Sequence, residues 1–457
     1  MPTYRTPDVY VEEISVFPPS VAEVETAIPA FIGYTGQARK VSAGDLSNRP
    51  TKIYNFAEYE QYFGGPDTPD IDVALVADGP GFIATVTAPT VTYLLYYAVK
   101  MFFDNGGGKC YIVSVGGYAD AIDIADFTAG LDAVALEDEP TLLVCPEAVR
   151  LSGTGYDTMS QNMLIQCGTL KDRFAILDLF GGDAPQDNTA LTANRARIGN
   201  NNLKYGALYY PFLRSSFNHA VAGIGTNVNV TVGGGAAATL DTLQTSATAV
   251  FNAAKAALLD HYIVVPPSGG VAGVYAATDT ARGVWKAPAN VGLADVVEPT
   301  VRLDNAHQDE LNVDATTGKS INAIRAFAGK GTLVWGARTL AGTESQASEW
   351  KYVSVRRLTI FVEQSIDAGT KWVVFEPNGE PLWAKLRASI GNFLGGLWTS
   401  GAFVGNTPTQ SFFVRCDRTT MTQADIDNGV VNIVIGVAPV QRAEFVIFTI
   451  SQFAASN

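Results

Sequence analysis

Charge is scarce in this chain. Only 17% of its 457 residues are Asp, Glu, Lys or Arg, where about 25% is usual for a globular domain. So few charges suit a surface that is covered by other chains. Histidine is scarcer still: His219, His261 and His307 are the three in the chain, too few and too scattered for a metal site. The four cysteines, Cys110, Cys145, Cys167 and Cys416, have neither metal-ligand nor redox-motif spacing. Each sits among apolar neighbours and reads as a reduced, buried thiol. Long apolar runs are missing too. The stretches near the C-terminus are broken by Asn432, Pro439, Gln441, Arg442 and Glu444, which excludes a membrane-spanning helix there. The opening MPTYRTPDVY is not basic-then-apolar, so the expectation is no secretory leader and folding in a reducing cytoplasm.

Catalytic signatures are equally thin. No G-x-S-x-G occurs. Gly106-Gly107-Gly108-Lys109 precedes a strand, where a phosphate loop would follow one, and the next residue is Cys110; it reads as a helix stop. Gly223-Ile224-Gly225 lacks the third glycine of a dinucleotide fingerprint. Glu137-Asp138-Glu139 reads as a solvated acidic turn, with a catalytic dyad as the other reading. Neither a cofactor nor a metal is implied. The net charge of −14 argues against nucleic acid as the main partner.

What is present is an alternation. Helical spacing over 53–65, 92–108, the FTAGLDAVA and TMSQNMLIQCGTL segments and 247–260 is interleaved with apolar runs at 26–36, 109–115, 141–147, 174–181 and 204–213. Strand and helix in turn imply a largely parallel α/β sheet covered by helices. Residues 64–82, rich in Pro, Asp and Gly, read as a loop. Residues 213–250, with NVNVTVGGGAAA, read as a β-hairpin insertion. The last third is patterned differently, with a helix at 351–366, a strand at 371–376, a helix at 377–398 opened by Pro381, and strand-like runs at 430–440 and 444–450. Charge changes with it. Residues 1–318 hold 18 Lys+Arg against 35 Asp+Glu, net −17, while residues 319–457 hold 13 against 10, net +3. The ends of the molecule are expected to differ electrostatically.

Two segments look made for contact. Val9, Tyr10, Val11, Ile14 and Val16 lie in a strand-like run fenced by Pro7, Pro18 and Pro19; it either folds back on its own domain or completes a sheet elsewhere. In 381–397, Leu382, Leu386, Ile390, Phe393 and Leu397 form one helical stripe. The far face carries Ala384, Ala388, Gly391 and Gly395, flanked by Lys385 and Arg387. Such a face admits a closely approaching backbone, with the cations as a handle for an acidic partner, or it is buried inside its own domain.

GVWKAPAN (283–290), INAIRAFAGKGTLVWGARTL (321–340), KYVSVRRLTIFVEQSI (351–366), FEPNGEPLWAKLRASIGNFLGGLW (375–398) and VVNIVIGVAPVQRAEFVIFTISQ (430–452) together closely resemble the tail sheath proteins of contractile phages and of phage-derived contractile injection systems. TPDVYVEEISVFPPSVAEVETAIPAFIG (6–33) and YYAVKMFFDNGGGKCYIVSV (96–115) look like the same family's opening. The resemblance spans nearly the whole chain. Pro7-Asp8 stands where members often carry Pro-Gly, and 213–250 matches no part of the pattern.

The resemblance implies a subunit of stacked six-fold rings that surround an inner tube protein, meet baseplate and terminator or cap proteins at the ends, and contract by rigid-body motion. It implies a linking arm at 1–24, an outer α/β domain at 25–340 with its β insertion at 213–250, and a smaller α+β inner domain at 341–457. The arm strand and a C-terminal strand, Phe445, Val446, Ile447, Phe448 and Ile450, would join sheets in neighbouring copies. Helix 381–397 would face the tube. No enzyme activity and no membrane insertion are implied, and the setting is a phage tail, a tailocin or an injection particle assembled in a bacterial cytoplasm and released. A non-contractile shell protein and an α/β enzyme are the competing classes.

Overall fold

Five consecutive apolar runs are buried on both faces, and this determines the architecture. In a computed structural model, which describes residues 21–312, 314, 316–342, 348–441 and 444, contacts divide the chain into two units. One is built from 25–361 together with Glu444, the other from 21–24 and 362–441.

The larger unit opens with β1 (Pro29–Thr35), β2 (Thr51–Ile53), α1 (Phe56–Phe63), a hairpin of β3 (Ile71–Asp78) and β4 (Gly81–Thr87), α2 (Leu95–Asp104) and β5 (Cys110–Gly117). It continues through α3 (Ile124–Val134), β6 (Leu142–Val144), α4 (Gly153–Leu170), β7 (Phe174–Asp178), α5 (Asn188–Arg197) and β8 (Gly206–Tyr210). Next come β9 (Leu213–Asn218), β10 (Val228–Val232), β11 (Ala238–Thr239), α6 (Leu240–Ser246), α7 (Thr248–Leu259), β12 (Tyr262–Val265) and α8 (Ser268–Arg282). The unit closes with β13 (Val291–Gly292), β14 (Val296–Pro299), α9 (Asn305–Asn312), β15 (Ile321–Phe327), β16 (Gly331–Val334) and the first half of α10 (Val353–Thr370).

Nine strands form the main sheet in the order β13–β16–β15–β8–β7–β6–β1–β5–β2. Pairing is parallel from β15 across to β5 and antiparallel at both margins. The mixed, largely parallel sheet expected from the alternation is what forms. All residues of β1, β6, β7 and β8 are buried, because helices cover both faces. On one of them α8 lies against α2 through Gly269 and Gly273. A Cβ on Gly273 would stand 2.6 Å from the Phe102 carbonyl oxygen, so only glycine permits that approach.

One expectation fails here and another is incomplete. Residues 64–82 are not a loop: they carry β3 and the first turn of its hairpin. Residues 213–250 do hold a short hairpin, β10 antiparallel to β11 with Val230 opposite Ala238, but β10 also pairs in parallel with β3, Val228 opposite Ile71 and Val230 opposite Val73. A four-stranded sheet, β11–β10–β3–β4, results. Ile71, Val73, Leu75, Val228 and Val230 pack on Leu240, Phe251 and Leu258 of α6 and α7. The alternation of β3, buried then exposed, is genuine strand patterning. Its Pro- and Gly-rich flanks obscured it, and its partner lies far along the chain.

The smaller unit holds the second half of α10, then α11 (Glu380–Thr399), α12 (Pro408–Ser411), β17 (Phe412–Arg415), α13 (Gln423–Asp427) and β18 (Val434–Val437). Pro381 begins α11 as expected. The expected strand at 371–376 does not form. A 3-10 turn at Lys371–Val373 is followed by Phe375, whose φ is 72° and whose side chain is fully exposed. With nothing among the described residues to pair with or pack on, alternation alone does not make a strand.

Two buried carboxylates hold the carboxyl edge of the main sheet. Glu147, just after β6, accepts from the backbone N–H of Tyr34 (2.8 Å), Leu94 (2.7 Å) and Leu95 (2.9 Å). It thereby caps α2, which has no capping side chain of its own. Asp178, ending β7, accepts from Ser268 N (2.8 Å) at the start of α8. Burial pushes both up to about 7, against the opposing pull of those N–H donors. The unfolded groups titrate near 4. Around neutrality the folded chain therefore holds more protons, and stability falls as pH rises through 7. His219, held down at about 4 by burial and by His261, works in the opposite sense but fades as pH rises past 6.5, offsetting only about 0.4 kcal/mol above it. From pH 6.5 to 8 the expected loss is on the order of 1 kcal/mol for the two carboxyls together, seen as a melting temperature lower by a few degrees. Asp178→Asn should flatten the slope. A melting temperature that rises over that window would contradict the assignment.

Candidate assembly surfaces

The α11 stripe behaves as its spacing predicts. Leu382, Leu386, Ile390, Phe393 and Leu397 are all buried, and Trp383 and Leu394 join them. Burial of each large apolar side chain stabilises by about 1.5–3 kcal/mol, which holds this face inward. The other face is open. Ala384, Lys385 and Ala388 are exposed, and Gly391 and Gly395 half-exposed. A Cβ at Gly391, Gly395 or Gly396 would meet no atom within 4 Å. Among the described residues, then, this helix is buried on one face only. The two flanking cations differ. Arg387 pairs with Glu380 (2.5 Å) and donates to the Cys416 carbonyl. Lys385 has no ion pair among the described residues and stands free to meet an acid.

Beside α11 lies a sheet of two strands, β17 and β18, antiparallel with Phe412 opposite Val437 and Arg415 opposite Val434. Two strands alone are marginal in water, and each has an outer edge that no other described strand occupies, able to accept one. Phe413 and Val434 are large, apolar and exposed there.

The strand residues Val9, Tyr10, Val11, Ile14 and Val16 lie outside the described residues, as do Phe445, Val446, Ile447, Phe448 and Ile450. The roots of both segments are described. Val21 is buried, and Val24 N donates to Ser365 Oγ of α10 (3.2 Å). At the other end Glu444 meets Arg338, a fully buried guanidinium, in a two-pronged pair: Nε to Oε1 at 2.9 Å and Nη2 to Oε2 at 2.7 Å. Arg338 also donates to Gly342 O (2.8 Å), and Asn312 and Tyr352 donate to Glu444 at 3.3 Å. Sequence reasoning used Glu444 only as a break in an apolar run. A lone acid between apolar residues was the available sign of a buried partner.

The acidic turn is more built than expected. Glu139 meets Lys109 (2.7 Å), Lys52 and the Tyr111 hydroxyl. Burial works to raise this carboxyl, but those partners outweigh it and hold it at about 2. The glycines before Lys109 end α2, so that lysine serves an ion cluster. All four cysteines are free and buried. Among the described residues no His, Cys, Asp and Glu group could hold a metal, and no helix is long and apolar enough to cross a membrane.

The family model described as phage tail sheath protein central domain matches residues 160–340, and that described as phage tail sheath C-terminal domain matches residues 345–453. Between them they take in more than half of the chain. The chain belongs to the phage tail sheath family. This sheath chain is 29% identical over 185 residues to the tail sheath protein of Vibrio phage KVP40, an alignment covering 40% of this chain and 26% of that protein. It thus spans about a quarter of the length of the curated relatives it matches. A chain in the baseplate of the anti-feeding prophage is 29% identical with a TM-score of 0.68, covering 99% of this chain and 100% of that one. The sheath complex of PVC, an extracellular contractile injection system, in its contracted state, is 27% identical with a TM-score of 0.66, covering 99% of each.

Proposed function

We propose that this sheath chain is the structural, non-catalytic subunit of a contractile sheath in a phage-tail-like injection particle. The observation that carries this is the end-to-end likeness to injection-system subunits, one of them in a contracted sheath. Six copies form a ring, and rings stack helically around an inner tube protein, with baseplate and terminator or cap proteins at the ends. The full-length likeness to those compact subunits, against partial coverage of the phage proteins, favours an injection particle over a phage tail. Assembly occurs in the bacterial cytoplasm and the particle acts outside the cell.

The arm at 1–24 and the strand at 445–450 link copies by adding strands to the β17–β18 sheet of a neighbour. The two open edges of that small sheet support this. Contraction is rigid-body motion of the folded units with the linking strands as tethers, from a metastable extended lattice. It needs no nucleotide. The α11 face of Ala384, Lys385, Ala388, Gly391 and Gly395 meets the tube, while the acidic α/β domain at 25–340 lies outside the inner domain at 341–457. Arg387 flanks that face with its charge already answered by Glu380.

Expression of the full chain and of a version lacking residues 1–24, imaged by negative-stain electron microscopy, tests this. Tubes from the first and only monomers or loose rings from the second are expected. Tubes from both would keep the sheath and reject the arm as its link. A monomeric full chain that still fails to assemble with its tube protein would overturn the assignment.

A further inference from the structure

One cavity in the larger unit is explained by neither packing nor assembly. Across the main sheet, the chain steps from β1 to β5 on one side and returns across β1 to β6 on the other. Open α/β sheets receive ligands outside the carboxyl ends of their strands at such a reversal. Most polar groups there are satisfied: Glu147 by three N–H donors and Asp178 by Ser268 N. Arg150, which ends the 3-10 turn after β6, is the exception. It makes no hydrogen bond or ion pair among the described residues, and its Nε is buried without a partner.

Arg150 lines a cavity of about 320 Å³ with Asp183, Arg214, His219, His261 and Thr300. It also lines an adjoining depression of about 450 Å³, so its guanidinium stands where the two meet. Arg214, on β9, has its nearest acid, Glu298, at 3.9 Å, the outer limit of an ion pair. The His219 and His261 rings are 5.1 Å apart, and His261 Nδ1 is buried and unpartnered. Asp183 is the one acid of the cavity lining. The lining thus holds two guanidiniums and one carboxylate, with Glu298 beside Arg214 and Glu147 near Arg150 outside it.

The buried Nε of Arg150 is closed off from this space, but its two Nη groups make no hydrogen bond among the described residues while the side chain lines the cavity, and a partly buried guanidinium with free N–H groups gains from an oxyanion that accepts them. We propose that this cavity binds a small oxyanion of the phosphate type, with the Nη groups of Arg150 as its main contact and Arg214 as a further donor. Guanidinium matches a tetrahedral oxyanion with two parallel hydrogen bonds. The volume falls in the range of small-molecule sites, leaving room for the organic part of a phosphomonoester.

Equilibrium dialysis of the full chain against radiolabelled inorganic phosphate, at ionic strength fixed with chloride, tests this. Saturable binding near one phosphate per chain, displaced by sulfate, is expected. Arg150→Gln should weaken it about tenfold or more, and Arg214→Gln should weaken it less. In phosphate-free buffer Arg150→Gln should melt no lower than wild type, since it removes an unpaired charge. Binding no stronger than chloride competition allows, or wild-type binding by Arg150→Gln, would overturn the proposal. So would a phosphate-free Arg150→Gln chain that unfolds, because the guanidinium would then be a structural partner.

Discussion

Replacing Glu444 by glutamine is expected to destabilise the larger unit by about 3–5 kcal/mol, the usual consequence of removing one partner of a buried ion pair. Arg338 is fully buried and binds both oxygens of Glu444. Glutamine offers one acceptor and turns two N–H donors towards a guanidinium that has only donors. The charge then stays buried without the Glu444 carboxylate that both its Nε and Nη2 engage. Glu444 stands immediately before Phe445, so the same change frees the root of the proposed linking strand. Thermal denaturation should show the loss, and electron microscopy should show few or no tubes. The double variant Arg338→Met with Glu444→Leu separates the two effects. An apolar pair of similar volume is often neutral or stabilising where the ion pair stood, so most of the stability should return. A single variant that melts with wild type would mean that the pair does not anchor the C-terminal segment.

That pair also shows what could be read in advance. The two residues lie 106 positions apart, and no period or spacing connects them. What was legible was local. The parallel sheet announced itself because its strands are apolar throughout. The ends of α1 and α2 were marked by Gly64 and Gly106, both with left-handed backbone, and the start of α11 by Pro381. What was not legible was pairing over distance. β3 was hidden because β10, its parallel neighbour, lies about 150 residues on. The run at 371–376 looked like a strand because its residue types suit one, yet the described residues supply nothing beside it to pair with. On the candidate surface the stripe and open face of α11 were readable from spacing. The engagement of Arg387 by Glu380, seven residues earlier and off the i+3 or i+4 positions, was not.

Substituting the glycines of α11 should raise stability and abolish tube binding together. Glycine inside a helix is unfavourable by about 0.5–1 kcal/mol relative to alanine. Where φ and space allow alanine, the change usually stabilises. Nothing lies within 4 Å of a Cβ at Gly391, Gly395 or Gly396. This helix therefore forgoes roughly 2 kcal/mol or more over its three glycines for a reason not found among the described residues. A second backbone passing over the face would be such a reason, since small residues let backbones approach closely. Gly391→Ala and Gly395→Ala should each raise the unfolding midpoint slightly, measured in urea. Leucine at both positions should keep that gain and reduce co-assembly with the tube protein by about tenfold or more, the loss of close packing at an interface centre. Lys385→Glu should weaken co-assembly without moving the midpoint, because that side chain is exposed. If the leucine variant sheathes the tube as wild type does, α11 faces solvent in the particle. The tube contact must then be sought elsewhere in the smaller unit, with Phe375 and Phe413 the next exposed apolar side chains to change.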